Sequence, residues 1–229
     1  TFVGGLVGIF DETVQYNLQI PGLNVSAICD VMTNSSMGPV DNLRRLNEMN
    51  MQSGNLSCVD NAYTTSVAPI FNTTVSNQTG VGIRQWTYQT CAQFAYFQDC
   101  KDMCPFGALA EQATSVAAQQ QLCTQAFGIP GEQVGANVNF TNDYYGGNQP
   151  QGTNILFVNG SDDPWHWLSM LIPNKEREEL SILIDGGSHC QNMGRTRPTD
   201  TPAMTAAREQ IAGIVGKWIS TWQEAHRSA

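Results

Sequence analysis

Two short apolar runs, each ending in a cluster of chemistry-bearing residues, constrain this chain more than any other feature. Ile155-Leu156-Phe157-Val158 ends in Asn159-Gly160, followed by Ser161-Asp162-Asp163-Pro164-Trp165. The run from Leu180 to Ile184 ends in Asp185-Gly186-Gly187-Ser188-His189-Cys190. Apolar runs of this length, bounded by turn residues, read as buried strands of a parallel sheet. Open parallel sheets hold ligands beyond the carboxyl ends of their strands. One strand therefore delivers a carboxylate there, and the next delivers an imidazole.

The rest of the chain is read around that pair. Val7, Phe10, Val14 and Leu18 recur at helical spacing, and Pro21-Gly22 breaks that first helix. Val25, Ile28, Val31 and Met32 mark a second helix, and Pro39 opens a third with Leu43, Leu46 and Met49 on one face. Residues 54–82 are rich in Asn, Ser, Thr and Gly and read as linker and loop. An aromatic-dense stretch, 82–98, begins a new core. Residues 106–127 read as helix closed by Gly128, and 143–147 as a turn. Thr201 is an N-cap and Pro202 the first position of a terminal helix whose apolar face is Met204, Ala207, Ile211, Val215, Trp218 and Trp222. Strand, strand and long helix make the closing half of an α/β fold.

Charge and cysteine usage narrow the setting. The 229 residues carry a net charge of -9, which argues against nucleic acid or anionic lipid as partners. No apolar run is long enough to span a membrane. Asn-x-Ser/Thr sequons stand at Asn24, Asn34, Asn55, Asn72, Asn77, Asn139 and Asn159, and five of them precede residue 80. With seven cysteines this points to a secreted or endolysosomal glycoprotein. No leader opens the chain, so Thr1 is not expected to be the original start. An odd cysteine count leaves at least one free or paired outside the chain.

Of three histidines, His226 lies in the tail, while His166 and His189 compete for the site. Asp163 either caps the turn that Pro164 begins or orients an imidazole, and Asp162 is its neighbouring alternative. Asp163 with His189 is the preferred pair. It matches the chain order Ser, Asp or Glu, His of α/β-hydrolases. No Gly-x-Ser-x-Gly pentapeptide occurs, so the nucleophile has no candidate here. Cys100, Cys104, Cys123, Cys190 and His189 lack the paired spacing of structural zinc, so disulfides are favoured over a metal. Neither a dinucleotide fingerprint nor a phosphate loop is present, and no cofactor is expected.

Several ordered motifs resemble one family. Arg84-Gln85-Trp86-x-Tyr88-Gln89-Thr90-Cys91, Tyr144-Tyr145-Gly146-Gly147, Phe157-Val158-Asn159-Gly160-x-x-Asp163-Pro164-Trp165 and Gly187-Ser188-His189-Cys190 are similar to the hallmarks of the serine carboxypeptidase family of lysosomal Pro-X carboxypeptidase and dipeptidyl peptidase II. His166 after Trp165 and the Arg197–Pro202 stretch resemble its thymus-specific branch. The resemblance implies the C-terminal part of an α/β-hydrolase domain plus the tail of an inserted helical cap, divided as 1–53 (cap) and 54–229 (hydrolase). It carries the triad acid onto Asp163 and the triad base onto His189. The serine is expected upstream of Thr1, on an N-terminal segment or chain that would be the partner. It implies a Cys91–Cys123 disulfide, with Cys29 and Cys58 pairing beyond the chain, and peptide substrates cleaved in exopeptidase fashion.

Two departures bear on the substrate. Gln93 stands where relatives often carry Glu, and the residues after Trp165 differ from those of proline-cleaving members. Gln93 and Trp165 are the candidate substrate-lining residues. Asn159 falls beside the site, so its sequon is expected to stay unmodified. The rival readings are an inactive, peptide-binding relative and a secreted binding domain of other ancestry. Homodimerisation is left open.

Overall fold

A computed structural model describes residues 2–74, 82–101 and 104–227. In chain order the helices are α1 (Phe2–Gln15), α2 (Val25–Met32), α3 (Pro39–Ser53), α4 (Tyr63–Phe71), α5 (Ile83–Gln89), α6 (Ala108–Ala113), α7 (Val116–Phe127) and α8 (Gly131–Tyr145). Strands β1 (Ile155–Gly160) and β2 (Glu179–Ile184) follow, then α9 (Pro202–Ala225). The chain is thus mixed and mainly helical, with a two-stranded parallel sheet. It divides into two compact units, one of Thr1–Ile9 with Asn55–Pro150 and one of Phe10–Gly54 with Gln151–Ala229.

In the second unit, β1 and β2 pair in register from Ile155 with Glu179 to Gly160 with Ile184. Ile182 and Ile184 project to one face, where Met204 and Ala207 of α9 cover them. Leu183, on the opposite face, is exposed. The Thr201 side chain accepts from Met204 N, so the cap that starts α9 also fixes which helical face meets the sheet. Burial along α9 is confined to its first turns. Met204 and Ala207 are buried, whereas Val215 and Trp222 of the same stripe are exposed. Helix α2 packs on α3, with Ile28 and Leu46 buried. The Asn42 amide donates to the carbonyls of Met32 and Asn34, satisfying the end of α2.

The first unit is built around the Cys91–Cys123 disulfide, both sulfurs' residues being fully buried beside Val134. A π-helical turn, Thr90–Phe94, follows α5, marked by Ala95 N donating to Thr90 O at 2.8 Å. The Arg84 guanidinium lies 4.8 Å from the Phe127 ring centroid and also donates to Ile70 O. Tyr88 meets the same ring edge-on at 5.4 Å. The Arg-Gln-Trp-x-Tyr motif is therefore packing chemistry in this unit.

Four sequence expectations need correction. Leu18 is outside α1, exposed, in a turn with φ 62°. The supposed linker 54–82 contains α4, which its Thr and Ser content had masked and which Ile70 anchors. Residues 106–127 form two helices, because Ser115 caps a new start after Thr114. Asp143–Tyr145, read as turn, are the last residues of α8, and only Gly146 and Gly147 turn with φ +90° and +51°. The helix was hidden because its Asn- and Gly-rich sequence buries a single side chain, Val134.

Candidate active site

The site lies where the two strands end, and a glycine pair sets its width. A Cβ added at Gly160 would lie 2.1 Å from Gly187 O. Only glycine lets the two backbones approach this closely. The approach allows Asp162 N to donate to Gly187 O at 2.9 Å and Ser161 N to Ile184 O at 2.9 Å. Gly186, at φ +66°, turns the chain just after β2. The Ser161 hydroxyl accepts from Gly186 N at 2.8 Å, which ties the two loops again.

Asp163 and His189 face each other across this junction. His189 Nδ1 lies 2.8 Å from Asp163 Oδ2. The other oxygen, Oδ1, accepts from Trp165 N at 3.0 Å and caps the 3-10 turn Pro164–Leu168. Both roles weighed for Asp163 are thus filled, one by each oxygen. An ionised carboxylate can only accept, so Nδ1 carries the hydrogen and the neutral ring presents its lone pair at Nε2. The Asp163 side chain is 12% exposed and that of His189 28%, so the imidazole is the half of the pair that reaches solvent. Tyr16 meets the His189 ring edge-on at 5.6 Å, and Trp165 lies 6.4 Å away on a tilted plane.

The competitors are placed elsewhere. His166 Nδ1 bonds the main-chain carbonyl of Asp163 at 2.6 Å, not its carboxylate. Asp162 Oδ2 accepts from the Asn17 amide at 2.9 Å. His226 is exposed, bonds Trp222 O and stacks on the Trp222 ring. Ser188, though next to His189, is buried, and its hydroxyl donates to Asn17 O at 2.8 Å. A hydroxyl whose proton is held by a carbonyl is no nucleophile. Among the described residues no hydroxyl or thiol hydrogen-bonds His189 Nε2. Gln93 is exposed on the π-helical turn of the other unit.

Sequence reasoning missed the segment that ends α1. Gln15 O accepts from His189 N at 2.8 Å, and Gln15 Oε1 accepts from Trp165 Nε1 at 2.9 Å. The Gln19 amide donates to His189 O at 2.8 Å and to Ser188 Oγ at 2.9 Å. The available signal was the set of amide side chains Gln15, Asn17 and Gln19 just before Pro21-Gly22, while Leu18 kept the helical spacing and hid the end of the helix.

The remaining sequence candidates fall as follows. Cys100 and Cys104 form a second disulfide, while Cys29, Cys58 and Cys190 are free and exposed. Burial, and after it the charge of Asp163, push the Cys190 thiol above its ordinary range. Asn159 Nδ2, the atom a glycan would join, is buried with no hydrogen-bond partner among the described residues. Asn55, Asn72 and Asn139 are exposed, Asn24 and Asn34 are half-buried, and Asn77 lies outside the described residues. The described residues hold no cluster of three or more metal-ligating side chains and no helix long and apolar enough to cross a membrane.

The model of the family described as serine carboxypeptidase S28 matches residues 1–211. The thymus-specific serine protease of Mus musculus is 35% identical over 224 residues, covering 95% of this chain and 43% of that protein. The thymus-specific serine protease of Homo sapiens is 34% identical over 229 residues, covering 97% of this chain and 43% of that protein. The chain therefore spans under half the length of these relatives. It belongs to the serine carboxypeptidase S28 family, in the thymus-specific branch.

Proposed function

We propose that this chain supplies the acid and the base of a serine-peptidase triad whose serine lies in polypeptide beyond its N-terminal end. The carrying observation is the 2.8 Å contact between Asp163 Oδ2 and His189 Nδ1 at the ends of adjacent parallel strands. The family match and the lack of a Gly-x-Ser-x-Gly elbow support the division.

The serine hydroxyl approaches His189 Nε2. As its oxygen bonds the peptide carbonyl carbon, Nε2 takes the hydroxyl proton and the ring becomes an imidazolium. Asp163 Oδ2 accepts from Nδ1 throughout, fixing the tautomer and stabilising that charge. When the carbon–nitrogen bond breaks, Nε2 returns the proton to the leaving amine. Water repeats the sequence on the acyl-serine, releasing the acid and restoring the hydroxyl.

On this reading residues 1–53 are the tail of a helical cap, and 54–229 are the C-terminal half of an α/β-hydrolase domain. Substrates are short peptides cleaved in exopeptidase fashion, with Trp165, beside His189, lining their path. The protein is a secreted or endolysosomal glycoprotein, carrying glycans at Asn24, Asn34, Asn55, Asn72, Asn77 and Asn139 but none at Asn159. Cys29 and Cys58 pair with cysteines outside this chain.

A fluorophosphonate probe applied to the full-length protein tests the proposal. The label belongs on a serine upstream of this chain, and His189→Ala abolishes labelling and peptide turnover. A labelled serine between residues 1 and 229, or undiminished turnover in His189→Ala, overturns it.

A further inference from the structure

The proton relay just described needs both partners held to within a fraction of an ångström, and one short segment touches both of their loops. It touches the His189 loop through three residues. Gln15 O accepts from His189 N at 2.8 Å. Gln19 Nε2 donates to His189 O at 2.8 Å and to Ser188 Oγ at 2.9 Å, and Asn17 O accepts from Ser188 Oγ at 2.8 Å. It touches the Asp163 loop through two. Asn17 Nδ2 donates to Asp162 Oδ2 at 2.9 Å, and Gln15 Oε1 accepts from Trp165 Nε1 at 2.9 Å.

We propose that Gln15–Gln19 is a positioning strap for the Asp163–His189 pair, with Gln19 as its principal positioning residue. This rests on the assignment of that pair to catalysis. The argument is geometric. Both main-chain polar groups of His189, its N–H and its carbonyl, are bonded by the strap, so the direction of its Cα–Cβ bond is fixed by residues about 170 positions away. Gly186 and Gly187 make the loop easy to bend, and a loop that bends easily drifts easily unless tied. The strap also pays a backbone cost to reach this shape. Leu18 adopts φ 62° while the residue is 60% exposed, so nothing about leucine burial explains the conformation. The turn leaves Asn17 and Gln19, on either side of Leu18, both bonded to the loops that follow the strands. The Tyr16 ring, carried by the same segment, is set edge-on against the imidazole at 5.6 Å.

Gln19 bonds the main-chain carbonyl of His189 and Ser188 Oγ, not the imidazole, so its removal is expected in kcat and not in KM. Misplacing a catalytic group by about 1 Å costs on the order of 100-fold, so a partial release predicts roughly 10- to 100-fold. The test uses full-length Gln19→Met, which keeps the length and packing of the side chain and deletes its donor. Expected are a kcat lower by about 10-fold or more with KM within about twofold, and an altered downfield proton resonance of the His189 Nδ1–H···Asp163 bond. A merely destabilised fold would lower the melting temperature and leave that resonance in place. Should Gln19→Met not fold, Gln19→Glu, which has no donor when ionised, is read in the same way. An unmoved resonance overturns the proposal, whether or not kcat changes. His189→Ala in the same assay separates the two readings. If it keeps turnover, the catalytic assignment fails and the resonance still reports on the strap. If it is inactive while Gln19→Met behaves as wild type, only the strap fails.

Discussion

The closeness of the two strand ends can be tested with one methyl group. In Gly160→Ala the new Cβ would lie 2.1 Å from Gly187 O, 2.5 Å from Gly187 C and 3.1 Å from Gly187 Cα. Backbone atoms cannot swing aside as a side-chain tip can, so the loops must part by about 1 Å to restore ordinary contact. The Asp162 N–Gly187 O and Ser161 N–Ile184 O bonds, both 2.9 Å, lie within that gap. Their loss costs about 1 kcal/mol each, and forcing extra volume into a packed site costs about 1–3 kcal/mol. The sum is about 3–5 kcal/mol, which calorimetry reads as a fall in melting temperature of roughly 10 °C. The same parting separates Asp163 from His189, so kcat falls by on the order of 100-fold. Gly213→Ala, in the interior of α9 with open space around its Cβ, is the control and gains about 0.5–1 kcal/mol. A Gly160→Ala protein that melts with wild type and keeps its turnover refutes the geometric reasoning.

Asp163→Asn keeps the cap to Trp165 N but lets the side chain donate to Nδ1. Steady-state kinetics should show kcat reduced by about 10²–10⁴-fold with little change in KM. Replacing Cys91 and Cys123 by Ala opens a covalent loop with a sequence separation of 32 and should cost roughly 3–4 kcal/mol in a denaturant titration. The alkylation rate of Cys190 should rise with a midpoint above the ordinary thiol range, and Asp163→Asn should lower that midpoint, since the Asp163 charge contributes to the shift. Burial holds the Asp11 carboxyl above its ordinary value in the folded state. The folded protein therefore keeps that proton longer than the unfolded chain, and this contribution to stability is lost as pH rises through the raised value. Asp11→Asn should accordingly raise the melting temperature at neutral pH and leave it unchanged in acid below the carboxylate range.

What could be read without coordinates was what neighbouring residues settle among themselves. The apolar runs at 155–158 and 180–184 became β1 and β2 because strand formation needs only a local pattern and bounding turn residues. Thr201-Pro202 fixed the start of α9 because a cap bond spans three residues. Val25–Met32 and the helix opening at Pro39 were legible for the same reason. The carboxylate and the imidazole were likewise visible as residues that follow strands.

Chain order already favours Asp163 with His189, but why these two meet is seen only in three dimensions. Asp162 and Asp163 are adjacent in sequence, yet one bonds Asn17 and the other His189, because a turn sends successive side chains in different directions. His166 lost to His189 because the 3-10 turn points its ring at a main-chain carbonyl. Gly160 reads as an ordinary turn glycine until Gly187 O is brought against it. The bonds of Gln15, Asn17 and Gln19 to the loops that follow β1 and β2 leave no periodic trace, since a hydrogen bond between residues 170 apart imposes nothing on the residues between. Local sequence set these elements and their ends, and the approach of distant backbones set which of their side chains meet.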